Sequence, residues 1–278
     1  MRNEDGRVAT ADGLALYWRA WTPERARAAL LFVHGLAEHS GRYAGPAGFF
    51  ASRGYACYAV DLRGHGRSPG PRVDVSSFDR FLADVGATHA LVRERHPGVK
   101  TFLVGHSQGG LLVLQYALRH PEGLPGVVAS SPVLAVHPAS RPSRARELAA
   151  RVLRRVAPRL RIPSGLDARW LSRDPEVVAA YLNDPLVSRR VSARWFASLL
   201  QAQEEVEGGA AAFPVPALVM AASADRLVDP EATRRFAERA PRGLVRLVCW
   251  EGLFHELFNE PEKEEVLGAV ERWLAPRL

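Results

Sequence analysis

The sequence predicts an α/β protein with a mostly parallel central sheet and helices on both faces of that sheet. Short apolar, strand-like runs alternate with segments of helical length, which is typical of βαβ units. The 278 residues are 47% hydrophobic and 24% charged, the balance of a folded domain with a large core. This composition excludes a disordered chain, because disordered chains lack the apolar surface that offsets ordering entropy.

The predicted elements follow one another along the chain with short connections. Apolar runs rich in β-branched and aromatic residues predict strands at residues 8–10, 14–21, 30–33, 55–60, 101–104, 127–129, 217–222 and 245–249. Longer amphipathic segments predict helices at residues 43–52, 76–96, 108–120, 230–239 and 262–274. Gly54 ends the first of these helices and Pro97-Gly98 ends the second.

One long stretch interrupts this alternation. Residues 134–207 contain helical patterns and no convincing strand, and about 70 residues are too many for a connecting loop. We therefore predict a helical cap, or lid, at residues 134–207. Residues 1–133 and 208–278 then form the core of the fold.

The charge of the chain is concentrated in this predicted cap. The net charge is +7, and residues 139–161 alone contain eight arginines and a single acid, Glu147. The rest of the chain is neutral overall, so we expect no nucleic-acid partner.

An apolar stripe runs through the arginine-rich segment. Within residues 146–161, Leu148, Val152 and Val156 recur at four-residue spacing, with arginines over much of the remainder. This pattern predicts a basic amphipathic helix of the kind that lies on anionic membranes. The alternative is a cap helix that packs the same stripe on the core.

Short segments of the sequence indicate where in the cell the protein is located. The N-terminus has acids and no apolar stretch, and the uncharged apolar run at residues 213–224 is too short to cross a bilayer. We therefore expect a cytoplasmic protein, with peripheral membrane contact as the only membrane association.

Cys57 and Cys249 lie in apolar runs, which predicts buried free thiols rather than a disulfide.

The strongest chemical signal is Gly105-His106-Ser107-Gln108-Gly109, a G-x-S-x-G pattern. It follows a predicted strand and opens a predicted helix, as a nucleophile elbow requires. The sharp turn crowds the serine against the positions two before and two after it, and glycine at both positions removes the clash. We predict that Ser107 is a nucleophile.

A serine hydroxyl needs a base to become a nucleophile, and the base needs an acid to orient it. In this architecture the acid comes after the serine in the chain, and the histidine that acts as the base comes after the acid. Of the late histidines, His137 is expected at the surface, and His255 lies in the loop before the last helix. We predict His255 as the base. Asp225 directly follows a predicted strand and is predicted as the acid, whereas Asp229 precedes Pro230 and is predicted to cap a helix.

Backbone N–H groups must stabilise the oxyanion that forms during such a reaction. We predict that Gln108 and Leu36 supply them, and that His34 only fixes the loop before Leu36. His255 does not begin a zinc-binding H-E-x-x-H pattern, because position 259 is asparagine. We therefore expect no metal and no organic cofactor.

Taken with these residues, the chain resembles α/β-hydrolases of the monoacylglycerol lipase and lysophospholipase type, and the bacterial branch most closely. The matching segments extend over nearly the whole chain: HGLAEHSGRY (34–43), DLRGHGRS (61–68), GHSQGG (105–110), SRDPEVVAAYLNDPLV (172–187), SADRLVD (223–229) and FHELFNEPE (254–262). GHSQGG alone indicates only the superfamily, whereas the first segment together with YLNDPLV is far more specific.

The resemblance implies a serine hydrolase of monoacylglycerols, with a mobile lid and a polar pocket for the glycerol head group. Glu38, Arg42 and Tyr181 match family positions expected in that pocket; alternatively, Glu38 and Arg42 form a loop salt bridge and Tyr181 packs inside the cap. Mammalian members have a second histidine where this chain has Phe258, which weakens the implied glycerol selectivity.

Several functions share the predicted triad. A lysophospholipase, a general carboxylesterase and a thioesterase use the same groups, and the sequence leaves them open as alternatives. A catalytically idle, ligand-binding version of the fold is a more remote alternative.

Overall fold

A computed structural model describes residues 1–140, 152 and 155–278. Its strands are β1 (Arg2–Ala9), β2 (Ala15–Thr22), β3 (Ala28–Val33), β4 (Tyr55–Val60), β5 (Thr101–His106), β6 (Val127–Ser130), β7 (Arg161–Pro163), β8 (Arg190–Ser192), β9 (Ala217–Ala222) and β10 (Val245–Trp250). Eight of them form the central sheet in the order β1-β2-β4-β3-β5-β6-β9-β10. Strand β2 pairs antiparallel with β1 and β4, and all other neighbours in this sheet pair parallel. The predicted mostly parallel sheet is confirmed.

Helices cover both faces of the sheet. They are α1 (Ala44–Ala51), α2 (Phe78–Arg95), α3 (Gln108–Arg119), α4 (Pro175–Asn183), α5 (Ala193–Gly209), α6 (Pro230–Arg239) and α7 (Lys263–Leu274). Because side chains alternate across a strand, Leu31 of β3 faces a core with α2 and α3, and Phe32 faces a second core with α1 and α7. The two cores confirm the predicted layering of helices.

The parallel strands bring distant loops together. Ser107 directly follows β5, Asp225 lies in the loop after β9, and His255 lies in the loop after β10. The carboxyl ends of parallel strands meet at one edge of the sheet, which is where open α/β sheets bind ligands. The fold therefore places all three residues at the same edge.

The segment between β6 and β9 contains α4, α5 and a small antiparallel pairing of β7 with β8. The sequence predicts no strand in this segment, and that expectation is wrong. The two strands are three residues long and rich in arginine, so they present no apolar run to recognise. Their pairing joins Arg161 with Ser192, far apart in the chain, and depends on backbone hydrogen bonds.

This segment also contacts the loops at the carboxyl edge of the sheet. The Ser188 N–H donates to the Ala37 carbonyl at 2.9 Å, and the Ser192 N–H donates to the Val73 carbonyl at 3.0 Å. Helix α5 continues to Gly209, beyond the predicted cap boundary at residue 207, and its later apolar residues pack in the α2–α3 core.

The structure tests the predicted burial of the two cysteines. Cys57 is buried, as predicted, but Cys249 is exposed, so the prediction of a second buried thiol is wrong. Cys249 belongs to β10, an edge strand whose apolar residues are only partly covered.

No helix of the described residues is long and apolar enough to cross a membrane. Most of the arginine-rich segment, residues 141–151, 153 and 154, lies outside the described residues.

Candidate active site

Ser107 lies in the sharp turn between β5 and α3, with φ 53° and ψ −114°. Positive φ is uncommon for a residue other than glycine, and such strain is typical of functional turns. A Cβ on Gly105 would overlap the Gly109 carbonyl, and one on Gly109 would overlap the Val33 carbonyl. Both glycines are therefore needed for the turn that presents Ser107.

His255 bridges Ser107 and Asp225. Its Nε2 lies 2.9 Å from Ser107 Oγ, and its Nδ1 lies 2.6 Å from Asp225 Oδ2. The other carboxylate oxygen of Asp225 accepts from the backbone N–H groups of Leu227 and Val228. Because an ionised carboxylate can only accept, Nδ1 carries the ring proton and Nε2 is left to accept from the Ser107 hydroxyl. The structure thus brings together three residues predicted from three separate loops.

The protonation of His255 is set by two opposing effects. Burial lowers the pKa of the His255 imidazole, but the charge and hydrogen bond of Asp225 more than offset burial, so the pKa lies above its usual value. A histidine with a raised pKa is a stronger base. The arrangement can therefore remove the proton of Ser107 during nucleophilic attack.

Leu36 and Gln108, the residues predicted to supply the oxyanion N–H groups, lie close to Ser107. Both residues line the same cavity as Ser107 and His255. Within the part of the chain that the structure describes, neither N–H has a protein acceptor. Two such donors, one of them at the N-terminus of α3, can stabilise a developing oxyanion.

Neighbouring polar residues hold the loops in place. The Leu62 N–H donates to His34 Nε2 at 3.1 Å, and His34 Nδ1 lies 2.7 Å from the Gly35 carbonyl, so the predicted loop-fixing role of His34 is confirmed. Asp229 is the N-cap of α6 and accepts from the Glu231 N–H, which confirms its predicted capping role.

Two cavities open next to Ser107, one apolar and one polar. The apolar cavity has a volume of about 100 Å³ and is lined mainly by aliphatic and aromatic side chains, with Phe196 and Leu199 of α5 among them. The polar cavity is smaller, about 20 Å³, and its lining combines the carboxylates and the guanidinium described next with Leu36, Leu166 and Leu171. The nucleophile therefore faces an apolar region on one side and a charged region on the other.

Arg42 is held between two carboxylates in the polar cavity. It donates to Glu38 at 2.6 Å and binds both oxygens of Glu256, at 2.6 and 2.7 Å. The ring of Tyr181 covers the guanidinium at 5.0 Å. The structure thus places the three predicted head-group residues together, and it also forms the predicted alternative, a Glu38–Arg42 salt bridge.

Glu256 is the residue of this cavity that sequence reasoning misses. In the sequence it stands directly after His255, as in a zinc-binding H-E-x-x-H pattern, but the pattern fails at Asn259. Its signal is positional, since a residue beside a predicted catalytic histidine shares the loop with it. Its partner Arg42 is more than 200 residues away, so only the fold reveals the pair.

A family model described as serine aminopeptidase, S33 matches residues 24–262. The chain belongs to this family. It is similar to a monoacylglycerol lipase of Mycolicibacterium smegmatis, at 36% identity over 97% of this chain and 96% of the relative. It is also similar to phospholipase YtpA of Bacillus subtilis, at 34% identity over 90% of this chain and 96% of the relative. The crystal structure of Paleococcus ferrophilus monoacylglycerol lipase, 36% identical, superposes with a TM-score of 0.86 and covers 95% of this chain and 99% of that one.

Membership of the S33 family confirms the resemblance to α/β-hydrolases of the monoacylglycerol lipase type. The family match includes the linings of both cavities. Among residues 1–140, 152 and 155–278, no group of three or more His, Cys, Asp or Glu side chains is arranged to hold a metal ion.

Proposed function

We propose that the chain is a serine ester hydrolase that cleaves monoacylglycerols to glycerol and free fatty acid. The observation that carries the proposal is the chain of contacts from Asp225 through His255 to Ser107, at 2.6 and 2.9 Å. This is the geometry of a catalytic triad, in which the base is oriented by an acid and faces the nucleophile.

The reaction proceeds in two steps. Ser107 Oγ attacks the ester carbonyl carbon while His255 Nε2 takes the hydroxyl proton, and the Leu36 and Gln108 N–H groups hold the oxyanion. The bond to the alcohol oxygen then breaks, and the alcohol leaves with the proton from His255. Water attacks the acyl-enzyme and gives its proton to His255, which returns it to Ser107 as the fatty acid leaves. Asp225 holds the imidazole in the required tautomer throughout.

The two cavities support an ester of a fatty acid with a small polar alcohol. The apolar cavity suits an acyl chain, and the polar cavity of Glu38, Arg42 and Tyr181 suits an alcohol with hydroxyl groups. Relatives named monoacylglycerol lipase support this substrate class. Because one relative is named a phospholipase, lysophospholipids are the main alternative substrates. General esters and thioesters are further alternatives.

Residues 134–207 are proposed to act as the cap. The polar cavity of about 20 Å³ has room for about one water molecule, and a glycerol moiety is larger than that. Tyr181, which lines this cavity, belongs to the segment between β6 and β9. Movement of this segment would therefore enlarge the cavity for substrate.

We also propose that the cap contacts anionic membranes. The helix predicted to residue 161 ends at Val156, because residues 157–160 form a turn with Pro158. Val152 and Val156 of the predicted stripe are 52% and 72% exposed, which favours a membrane-facing stripe over a stripe packed on the core. Vesicle co-sedimentation at low and high salt tests this with the wild type and an Arg151/Arg154/Arg155→Ser variant. We expect the wild type to bind anionic vesicles and not neutral ones. High salt and the three substitutions should each weaken this binding. Equal binding to neutral vesicles, or by the variant, contradicts the proposal.

A hydrolysis panel tests the proposed activity. Monoacylglycerols, lysophospholipids, simple esters and thioesters of matched acyl chains are compared by kcat/KM, with Ser107→Ala as the control for background hydrolysis. Monoacylglycerols are expected to give the highest kcat/KM. If a lysophospholipid or a thioester gives the highest kcat/KM instead, the proposed substrate class is wrong.

A further inference from the structure

The polar cavity beside Ser107 contains more negative than positive charge. Burial disfavours ionisation of Glu38 and Glu256, but the Arg42 charge outweighs it, so the pKa of each carboxyl lies below its usual value and both are ionised. Burial and the neighbouring His255 lower the pKa of His106 to about 4, so His106 is neutral at neutral pH. Two carboxylates against one guanidinium leave a net charge of −1.

Three of the five N–H donors of Arg42 are already bound to carboxylates. Both of its terminal nitrogens bind carboxylates, and Tyr181 lies against the guanidinium. Glu256 is itself fixed from a second side, because Asn259 Nδ2 donates to its Oε2 at 2.9 Å. Arg189, another cation near Tyr181, is exposed and is therefore screened by solvent. A phosphate entering the cavity would meet no unpaired cation among the lining residues.

The Tyr181 hydroxyl offers a neutral partner. Burial raises the pKa of this phenol, so it stays protonated and can both donate and accept a hydrogen bond. Among the residues that the structure describes, no protein group bonds to this hydroxyl, although the side chain is buried. The cavity thus combines an available hydroxyl, suited to an alcohol, with a fixed negative charge.

We infer that Glu256 is a specificity-determining residue: its carboxylate gives the alcohol cavity a net negative charge, so esters of neutral or cationic alcohols are accepted and esters of phosphorylated alcohols are rejected. This inference rests on the proposed function, in which the polar cavity takes the alcohol. It deepens that function, because it separates monoacylglycerols from lysophospholipids with a phosphate next to the glycerol.

The size of the effect follows from Coulomb repulsion in a partly desolvated site. A phosphate monoester carries about −1.5 to −2 charges at neutral pH. Repulsion by one buried charge several ångströms away, at an effective dielectric of about 20, corresponds to more than about tenfold in kcat/KM. Salt screens a buried charge less than an exposed one, so the discrimination persists at physiological ionic strength.

A series of octanoyl esters with three head-group charges tests the inference. Octanoylglycerol is neutral, octanoylglycerol 3-phosphate is anionic and octanoylcholine is cationic; all are assayed below their micelle concentrations, so that no lipid surface contributes. The wild type should hydrolyse the phosphate ester more than about tenfold less efficiently than octanoylglycerol. Equal kcat/KM values for these two esters overturn the inference without any variant.

Glu256→Gln removes the charge and keeps an oxygen for Arg42. Relative to octanoylglycerol, its kcat/KM should rise for the phosphate ester and fall for the choline ester. Shifts in opposite directions cannot come from general damage to the site. Glu251→Gln makes the same charge change at an exposed position after β10 and should leave all three ratios unchanged. Unchanged ratios in Glu256→Gln, or the same shifts in Glu251→Gln, overturn the role of Glu256.

Failure of the inference is distinct from failure of the proposed function. If octanoylglycerol is not hydrolysed while octanoyl thioesters or nitrophenyl octanoate are, the monoacylglycerol assignment is wrong. If octanoylglycerol and its phosphate are hydrolysed equally well, only the charge selectivity is wrong.

Discussion

The indole Nε1 of Trp195 donates a hydrogen bond to the side-chain Oε1 of Gln108 at 2.8 Å. Gln108 follows the nucleophile and is fully buried, and Trp195 belongs to α5, in the segment between β6 and β9. An indole can only donate, so the amide oxygen must face it and the amide NH₂ must point elsewhere. The residue proposed to supply an oxyanion N–H is thus held by a helix outside the elbow.

Trp195→Phe should destabilise the protein through this bond. The substitution leaves the Gln108 amide oxygen buried and unpaired, which costs about 1–3 kcal/mol in the free energy of unfolding. Urea denaturation of Trp195→Phe, Gln108→Leu and the double variant gives the coupling between the two side chains. A coupling of at least about 0.5 kcal/mol is expected; additive effects would show that the bond contributes no stability.

Substitutions in the proposed triad should reduce turnover with little effect on folding. Ser107→Ala and His255→Ala should each lower kcat by about 10⁶-fold, and Asp225→Asn by about 10⁴-fold. Asp229→Ala is the matched control, because it removes only the N-cap of α6. It should cost about 1 kcal/mol of stability and keep full activity. An active Asp225→Asn together with an inactive Asp229→Ala would reverse the assignment of the acid.

The pH dependence of kcat/KM should report the protonation of His255. Only the neutral imidazole can accept the Ser107 proton, so activity should rise with pH through the His255 pKa, which Asp225 raises above its usual value. Asp225→Asn removes the charge that raises this pKa and leaves the burial that lowers it. The acidic limb, measured with an uncharged ester, should therefore move to lower pH in the variant. An unchanged midpoint would mean that Asp225 does not act on the titrating group.

Glycine substitutions should separate the elbow from ordinary helix positions. Gly109→Ala should prevent stable folding, because its Cβ would overlap the Val33 carbonyl. Gly48 lies inside α1 with no atom within 4 Å of an added Cβ, so Gly48→Ala should stabilise the protein by about 0.5–1 kcal/mol. Thermal melts of both variants check this, and a stable, active Gly109→Ala would contradict the account of the turn.

The sequence predicts the elements that carry the core, because their signals are local. The predicted bounds of β4, β9 and α6 match those of the structure, since apolar runs and the capping Asp229 mark them. Strand β1 is predicted at residues 8–10 but begins at Arg2, because its alternating polar residues suit a half-exposed edge strand and form no apolar run. The missed pairing of β7 with β8 has the same cause.

Site residues are predictable where the backbone demands a residue type. Gly105 and Gly109 reveal Ser107 through the turn they permit, and the order of loops then indicates Asp225 and His255. The bidentate contact between Glu256 and Arg42 leaves no such local trace, since an acid after a histidine has many structural uses. The exposure of Cys249 depends on the edge position of β10, which only the order of strands in the sheet decides.

Covalent labelling of Ser107 tests the central claim most directly. The wild type is treated with a fluorophosphonate, and the label is located by peptide mass mapping, with Ser107→Ala and His255→Ala as controls. The account predicts one label on Ser107, loss of ester hydrolysis in proportion to labelling, no label in Ser107→Ala and much slower labelling in His255→Ala. Ester hydrolysis that persists after full labelling of Ser107, or a protein that takes no label and hydrolyses no ester, would contradict it.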